Sequence, residues 1–450
     1  MAMTWSQLLS PQRFRAKNGE IIPTVTPSTQ EGIDALRTDF HIDYDRVVFS
    51  GAFSRLGRKT QVHPLAEHDL THNRLTHSVE VASVGRSLGN RVGVMLQAGG
   101  FLPENNTPGD IGAVVQVACL AHDLGNPPFG HTGEDALRHW FRKETNLRFL
   151  TSLSEAELSD VQTYEGNAHS LRIVANLEMY PDAGGMRLSA ASIGALIKYP
   201  WTSQGPRGRS KFNIYQTELP FIRRVAAELG LLEAGCDQWV RHPLSYLMEA
   251  SDDICYALLD LEDAVELELL TDTEVESVLS ELTFEESTWH AQSSRQRCAM
   301  LRGIAIGKAI EDAAQTFMKH QSDLLSGEFK GKDLISLCSP EVQNTLEKAK
   351  ELARTRIFRH RTKLMTEIAT FPCLGSILDL FVPAAHALLV EQKLDVRQSL
   401  ILDLLKNHNP ILETDSLYQA YMKILDFVGG MTDNAAAKMA QDLSGTGILR

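Results

Sequence analysis

The residues able to do chemistry are concentrated early in the chain. Nine of the fifteen histidines, His41 through His169, fall within the first 170 of 450 residues. His63, His68, His72 and His77 stand close together, followed by His122 beside Asp123 and then by His131. A lone histidine on a helix is more often a satisfied polar residue than a ligand, so the constellation carries the argument. His122 and Asp123 end a run of Val, Ala and Leu, where two ionisable side chains are costly unless they share a charged partner. A divalent cation is the natural partner. Imidazole nitrogen with carboxylate oxygen suits Mn, Fe, Co, Ni or Zn, and also Mg with added waters. Further ligands must come from elsewhere in the chain. His77, in Asn73-Arg74-Leu75-Thr76-His77-Ser78, opens a helix whose Val79, Ala82 and Val84 are expected to pack inward. Asp252 lies on the polar face of a later helix, with Tyr256 and Asp260 at i+4 and i+8.

His77, then His122-Asp123, then an aspartate about 130 residues later resembles the pattern of the HD-domain metal-dependent phosphohydrolases. The run Ala121-His122-Asp123-Leu124-Gly125-Asn126-Pro127-Pro128-Phe129-Gly130-His131-Thr132-Gly133-Glu134 is similar to the signature of bacterial dGTP triphosphohydrolases. Tyr164-Glu165-Gly166-Asn167-Ala168, Lys198-Tyr199-Pro200 and the segment from Glu249 to Tyr256 extend the likeness, in order, over about residues 45 to 270.

The resemblance implies one divalent metal ion, Mg, Mn, Co, Ni, Fe or Zn, held by His77, His122, Asp123 and Asp252, with Asp253 as the adjacent candidate. It implies attack on the α-phosphorus of a deoxynucleoside triphosphate, releasing nucleoside and inorganic triphosphate. His131 would transfer a proton to the water or the leaving 5′-oxygen, and Glu134 would hold the imidazole's tautomer. The plainer reading of Glu134 is a helix-start carboxylate favoured by the dipole. Arg74 would reach the phosphates, joined by Lys198 and Lys211. Tyr256 would pack on the deoxyribose, with Arg55 and Leu56 on the sugar side. Glu165, Asn167 and Tyr199 would line the same cleft. Where relatives commonly carry Gln after Glu-Gly-Asn-Ala, this chain has His169: a phosphate contact, a further proton donor or a hydrogen-bonding replacement. Relatives are oligomers with effector sites at subunit contacts, which implies a homo-oligomer, tetramer or hexamer, with a possible nucleotide effector. Two other functions stay in view. One is an HD-type enzyme acting on a cyclic dinucleotide, a nucleoside monophosphate or an alarmone. The other is a nucleotide sensor or single-strand nucleic-acid-binding protein without turnover, against which the presence of His131, Glu134 and every metal ligand counts.

The elements that must position these residues are helices. From Ile111 to Ala121 apolar residues surround a helix almost completely, which marks a central buried element. Gly125, Pro127 and Pro128 stop it. Pro243 begins a second strong helix, running through Leu261. Ser203 to Ser210 is a loop by composition. Amphipathic stretches at Met300–Met318, Val342–Ile357, Leu394–Lys406 and Leu417–Val428 follow. The expected fold is all-α: an N-terminal segment to residue 44, an HD-domain helical core over 45–270 and a helical C-terminal extension over 271–450.

The formal net charge is −13, from 44 Lys and Arg against 57 Asp and Glu. That excludes a general nucleic-acid coat. It does not exclude a polyanionic substrate, because the charge is local. Fourteen acids and no Lys or Arg lie between Glu249 and Glu286, most of them expected on a solvated face. Arg187 to Arg224 holds seven Lys and Arg and the single acid Glu218. Six scattered cysteines suggest neither a disulfide framework nor a zinc ribbon. The first residues lack the apolar run of a signal peptide, and no window reaches 18 apolar residues, Phe381 to Val390 being interrupted by His386. A cytoplasmic protein without a membrane partner is expected.

Overall fold

Eleven of the fourteen residues of helix Pro108–Ala121 are buried, as its all-round apolar sequence requires. The computed structural model describes residues 2–17, 19–24, 37–61, 73–206, 209–266, 269–283, 293–356 and 361–449. His63, His68, His72 and Arg207 lie outside the described residues, as does the side chain of Asp260. The fold is all-α. The described strands are two short antiparallel pairs, Phe14–Lys17 with Glu20–Pro23 and Glu233–Gly235 with Gln238–Trp239.

Helix Arg74–Ala98 packs along helix Pro108–Ala121 at close range. Glycine makes this possible: a Cβ on Gly89 would stand 2.8 Å from the Gly112 Cα, and one on Gly93 would stand 2.7 Å from the Pro108 Cα. Ser78, Val81, Ala82, Val84 and Gly85 turn inward, whereas Val79 is exposed, because the helical period carries it to the opposite face. Helix Pro243–Glu266 crosses both helices, and Ser294–Lys319 and Pro340–Arg356 complete this first core.

A second core forms around helix Gly130–Arg142. Ala136, Leu137, Trp140 and Phe141 pack with Leu374, Ile377, Leu378 and Phe381 of helix Arg361–His386 and with Tyr421, Ile424 and Leu425 of helix Leu417–Gly429. Trp140 Nε1 donates to Asp379 Oδ1 at 2.7 Å. Pro372 and Pro383 lie inside the Arg361–His386 helix, which obscures it in a reading of local propensity. Lys363–Glu391 is long and apolar enough, by length and composition, to cross a membrane, with a mean hydropathy of 1.8. Counting uninterrupted apolar residues passes over it. Its Leu374, Ile377, Leu378, Phe381 and Val382 point into the second core, as a core helix of that composition does.

Several of the described acids of this run are paired with bases. Asp253 pairs with Lys350 at 2.7 Å, Glu276 with Arg297 at 2.9 Å and Glu274 with Arg356 at 3.2 Å, and Glu281 meets Lys348. The acids thus face bases supplied by helices Ser294–Lys319 and Pro340–Arg356. These contacts are partly exposed and individually weak, so the apolar side of each helix carries most of the docking energy.

Candidate active site

Local rules place the histidines before any tertiary contact. Asn73 Oδ1 accepts from the backbone N–H groups of Leu75 and Thr76 at 3.1 Å, starting helix Arg74–Ala98 so that His77 falls in its first turn. His122 stands at the C-terminal end of helix Pro108–Ala121, where its Nδ1 donates to the Cys119 carbonyl at 2.6 Å. A carbonyl only accepts, so that bond assigns the proton to Nδ1 and leaves the Nε2 lone pair facing the cleft, the arrangement a metal-ligating histidine needs.

Opposite stands Asp252 on helix Pro243–Glu266. Its Oδ1 lies 3.2 Å from His77 Nε2 and 3.6 Å from His122 Nε2. Donor atoms of His77, His122 and Asp252 all fall within 4.8 Å of one another. Asp123 is adjacent, with Oδ1 3.5 Å from His122 Nε2, but its carboxylate also accepts from Arg74 Nη1 at 2.6 Å and from the Asn126 amide. Asp253, which also lines the cleft, accepts from Lys350 at 2.7 Å and is not one of the three converging donors. Burial would push both Asp123 and Asp252 up. Arg74 and then the two imidazoles hold Asp123 well below the usual carboxylate range, and His122, His77 and Lys198 do the same for Asp252. Ionised carboxylates beside two imidazoles, with the His122 tautomer fixed, fit a divalent metal ion.

Beside this group, His131 is the second residue of helix Gly130–Arg142. The side chain is 77% exposed, and its Nδ1 lies 3.1 Å from Glu134 Oε2. Glu134 is buried, and its Oε1 accepts from the Gly166 N–H at 2.7 Å. Burial would raise its pKa, but the His131 hydrogen bond and charge, with Arg138, bring it below its ordinary value. Arg138 Nη2 also reaches Glu165 Oε2 at 3.2 Å. Glu165 is raised, by burial first and then by the neighbouring Glu134 charge. An imidazole open to the cleft and backed by an ionised carboxylate is equipped to transfer protons.

A cleft of about 480 Å³ connects the two groups, lined by Arg74, His77, Asp123, His131, Asp252 and Tyr256 together with Lys363, Thr366, Glu367 and Thr370. The last four stand at i, i+3, i+4 and i+7 on helix Arg361–His386, a polar stripe on an otherwise apolar helix. Sequence reasoning missed them, although that stripe was a usable signal. A second lobe of about 270 Å³ is lined by His131, Glu134, Arg138, Glu165 and Lys211.

Other expected residues are placed differently. Lys198 pairs with Glu249 at 3.1 Å, which, against its burial, raises its pKa. Tyr199 lies tilted against Trp201, ring centroids 5.8 Å apart, and Asn167 donates to Glu165 Oε1 at 2.6 Å. Arg55 is turned to Glu178 at 3.0 Å and Leu56 is fully buried, so neither lines the cleft in this structure. His169 is also interior. It packs against the Tyr164 ring at 5.2 Å, its two ring nitrogens have no hydrogen-bond partner among the described residues, and burial followed by Arg172 and Lys59 lowers its pKa well below the ordinary value. Neither a phosphate contact nor a proton donor is at hand there.

Fold and site together define an HD-domain protein, and the HD domain family matches residues 74–165. A "Deoxyguanosinetriphosphate triphosphohydrolase-like protein" of Pseudomonas aeruginosa is 44% identical, over 91% of this chain and 94% of its own length. One of that name from Synechocystis is 33% identical over 98% and 99%. A "Deoxyguanosinetriphosphate triphosphohydrolase" of Klebsiella pneumoniae is 30% identical over 79% of each chain. The chain belongs to this family of deoxyguanosinetriphosphate triphosphohydrolase-like proteins with an HD domain.

Proposed function

We propose that this protein hydrolyses deoxynucleoside triphosphates to deoxynucleoside and inorganic triphosphate. The observation that carries the reading is the convergence of His77, His122 and Asp252 within 4.8 Å, at a cleft that His77 and Asp252 line together with His131, whose Nδ1 lies 3.1 Å from Glu134. A divalent metal ion held there, with Asp123 as the fourth ligand, would polarise a phosphoryl oxygen and lower the pKa of a water. Arg74 meets the phosphates from the metal side and Lys211 from the second lobe. Water adds to the α-phosphorus, the bond to the 5′-oxygen breaks, and His131 delivers the proton that this oxygen takes up. Glu134 keeps the imidazole oriented throughout. Tyr256 packs on the sugar, and the stripe from Lys363 to Thr370 faces the rest of the nucleoside.

The catalytic core is taken as 45–270, with 1–44 and 271–450 flanking it. A homo-oligomer and an effector nucleotide are what the resemblance implies, and a single-stranded nucleic-acid partner belongs to the alternative reading as a binding protein. Incubation of metal-loaded protein with each dNTP and rNTP, with products separated by anion exchange, tests the reading. Triphosphate with deoxynucleoside is expected; diphosphate products, or no turnover with Mg, Mn or Co, would overturn it.

A further inference from the structure

The turn from Asp123 to His131 is gripped from the far end of the chain. Phe129 and Gly130 both take left-handed backbone conformations, with φ of 64° and 59°. Such a conformation is unfavourable for a phenylalanine and persists only where its surroundings impose it. Asp433 supplies that constraint: its Oδ1 accepts from the Phe129 N–H at 2.9 Å. Its Oδ2 accepts from the Thr60 N–H at 3.0 Å and from Thr60 Oγ1 at 2.6 Å. The neighbouring Lys59 is buried and donates to the carbonyls of Asn126 at 2.5 Å and Gly429 at 2.7 Å.

An aspartate at the first position of helix Asp433–Leu443 would ordinarily serve its own helix dipole. Here Thr432 Oγ1 takes the capping bond from Ala435, and the Asp433 carboxylate, only 2% exposed, is turned to two other segments. Both oxygens are used as acceptors, for three donors.

We propose that Asp433, seconded by Lys59, is a positioning residue for the hydrolysis. It holds Phe129 in the left-handed conformation and so sets where helix Gly130–Arg142 begins. That fixes the distance of His131 and Glu134 from the His77–His122–Asp252 group. The inference rests on the proposed function for its catalytic consequence, but the grip on the turn is separately measurable.

Asp433→Asn keeps the shape and leaves one accepting oxygen, so at least one N–H faces an amide nitrogen. Thr60→Val removes one bond and is the milder variant. In the full-length, metal-loaded protein, Asp433→Asn should lower kcat about 10- to 100-fold, since displacements near 1 Å cost about that much. KM and metal content should stay within about threefold of the parent. Hydrogen exchange should quicken at the amides of residues 129–134 and not along helix Arg74–Ala98. Thr60→Val should move the same quantities in the same direction by less. Unchanged kcat and exchange in the folded variants would overturn the proposal, as would a fall in kcat that only tracks lost metal or lost fold. Should the parent protein not turn over any dNTP, the proposed function fails, and the exchange measurement alone decides whether Asp433 holds the turn.

Discussion

Replacing His131 with alanine separates proton transfer from metal binding more cleanly than any other change. The side chain is 77% exposed and its hydrogen bond is to Glu134, which keeps the Gly166 N–H and Arg138 as partners, so stability should change by about 1 kcal/mol. The donors of the His77–His122–Asp252 group come from other helices, so metal content should equal that of the parent. What disappears is the acid–base contribution, about 10²- to 10⁴-fold in kcat. At about 1.4 kcal/mol per tenfold, that is roughly 3 to 5 kcal/mol of transition-state stabilisation. Glu134→Gln should cost less. A glutamine still accepts from the Gly166 N–H through one oxygen, but turns an amide N–H toward His131 Nδ1, reversing the tautomer that the carboxylate favours. Triphosphate release at saturating dNTP by anion exchange, elemental analysis and denaturant unfolding measure kcat, metal content and stability in turn. If His131→Ala turned over within threefold of the parent, the assignment of His131 would be wrong. If it lost its metal, the separation of the two groups would be wrong.

Further outcomes follow from individual contacts. His122→Ala removes the imidazole whose tautomer the Cys119 carbonyl sets, and should abolish metal retention by elemental analysis without unfolding the chain. Arg172 holds Asp426 at 2.6 and 2.7 Å and Glu218 at 2.8 Å, all three side chains buried. Arg172→Ala strands two carboxylates and should cost about 3 to 5 kcal/mol in denaturant unfolding; a loss below about 1 kcal/mol would contradict the account. Asp160 is buried and pushed up to about 6 by burial, against bonds from the Gln216 N–H, Ser203 and Tyr418. A carboxyl raised in the folded state binds more protons folded than unfolded, so it destabilises as pH rises from about 4 through about 6. Asp160→Asn keeps an acceptor without the charge, so its melting temperature should exceed the parent's at pH 8 and lose that advantage at pH 4. Glu367→Gln, on the cleft-facing stripe, should shift the relative kcat/KM among the four dNTPs while leaving metal content unchanged.

The run from Ala121 to Glu134 was legible because its chemistry is local. Adjacent His122 and Asp123 need no tertiary knowledge to be recognised as costly in an apolar helix, and His131 and Glu134 meet across three residues of one helix. Asp252 was legible from a periodic polar face. Lys363, Thr366, Glu367 and Thr370 were not read, because the prolines at 372 and 383 speak against the helix that aligns them. Asp433 was invisible for a deeper reason. Local pattern says which face of a helix is buried, never which distant turn its terminal carboxylate will meet, and Phe129 is 304 residues away.

Charge shows the same limit more sharply. The acid run from Glu249 reads as solvated when only its neighbours are counted, yet Asp253 meets Lys350 at 97 residues' separation. The basic segment that ought to attract phosphates gives Lys198 to Glu249 and Arg223 to Asp237. The field offered to an anionic substrate is therefore set by pairing rather than by sequence windows. Arg74 lies against Asp123, and Lys211 stands near Glu165, so these two cations already have carboxylates beside them. A metal ion that took Asp123 as a ligand would draw charge off that carboxylate and leave Arg74 a stronger phosphate contact. Metal and triphosphate binding should accordingly reinforce one another, each tightening the other by the same factor.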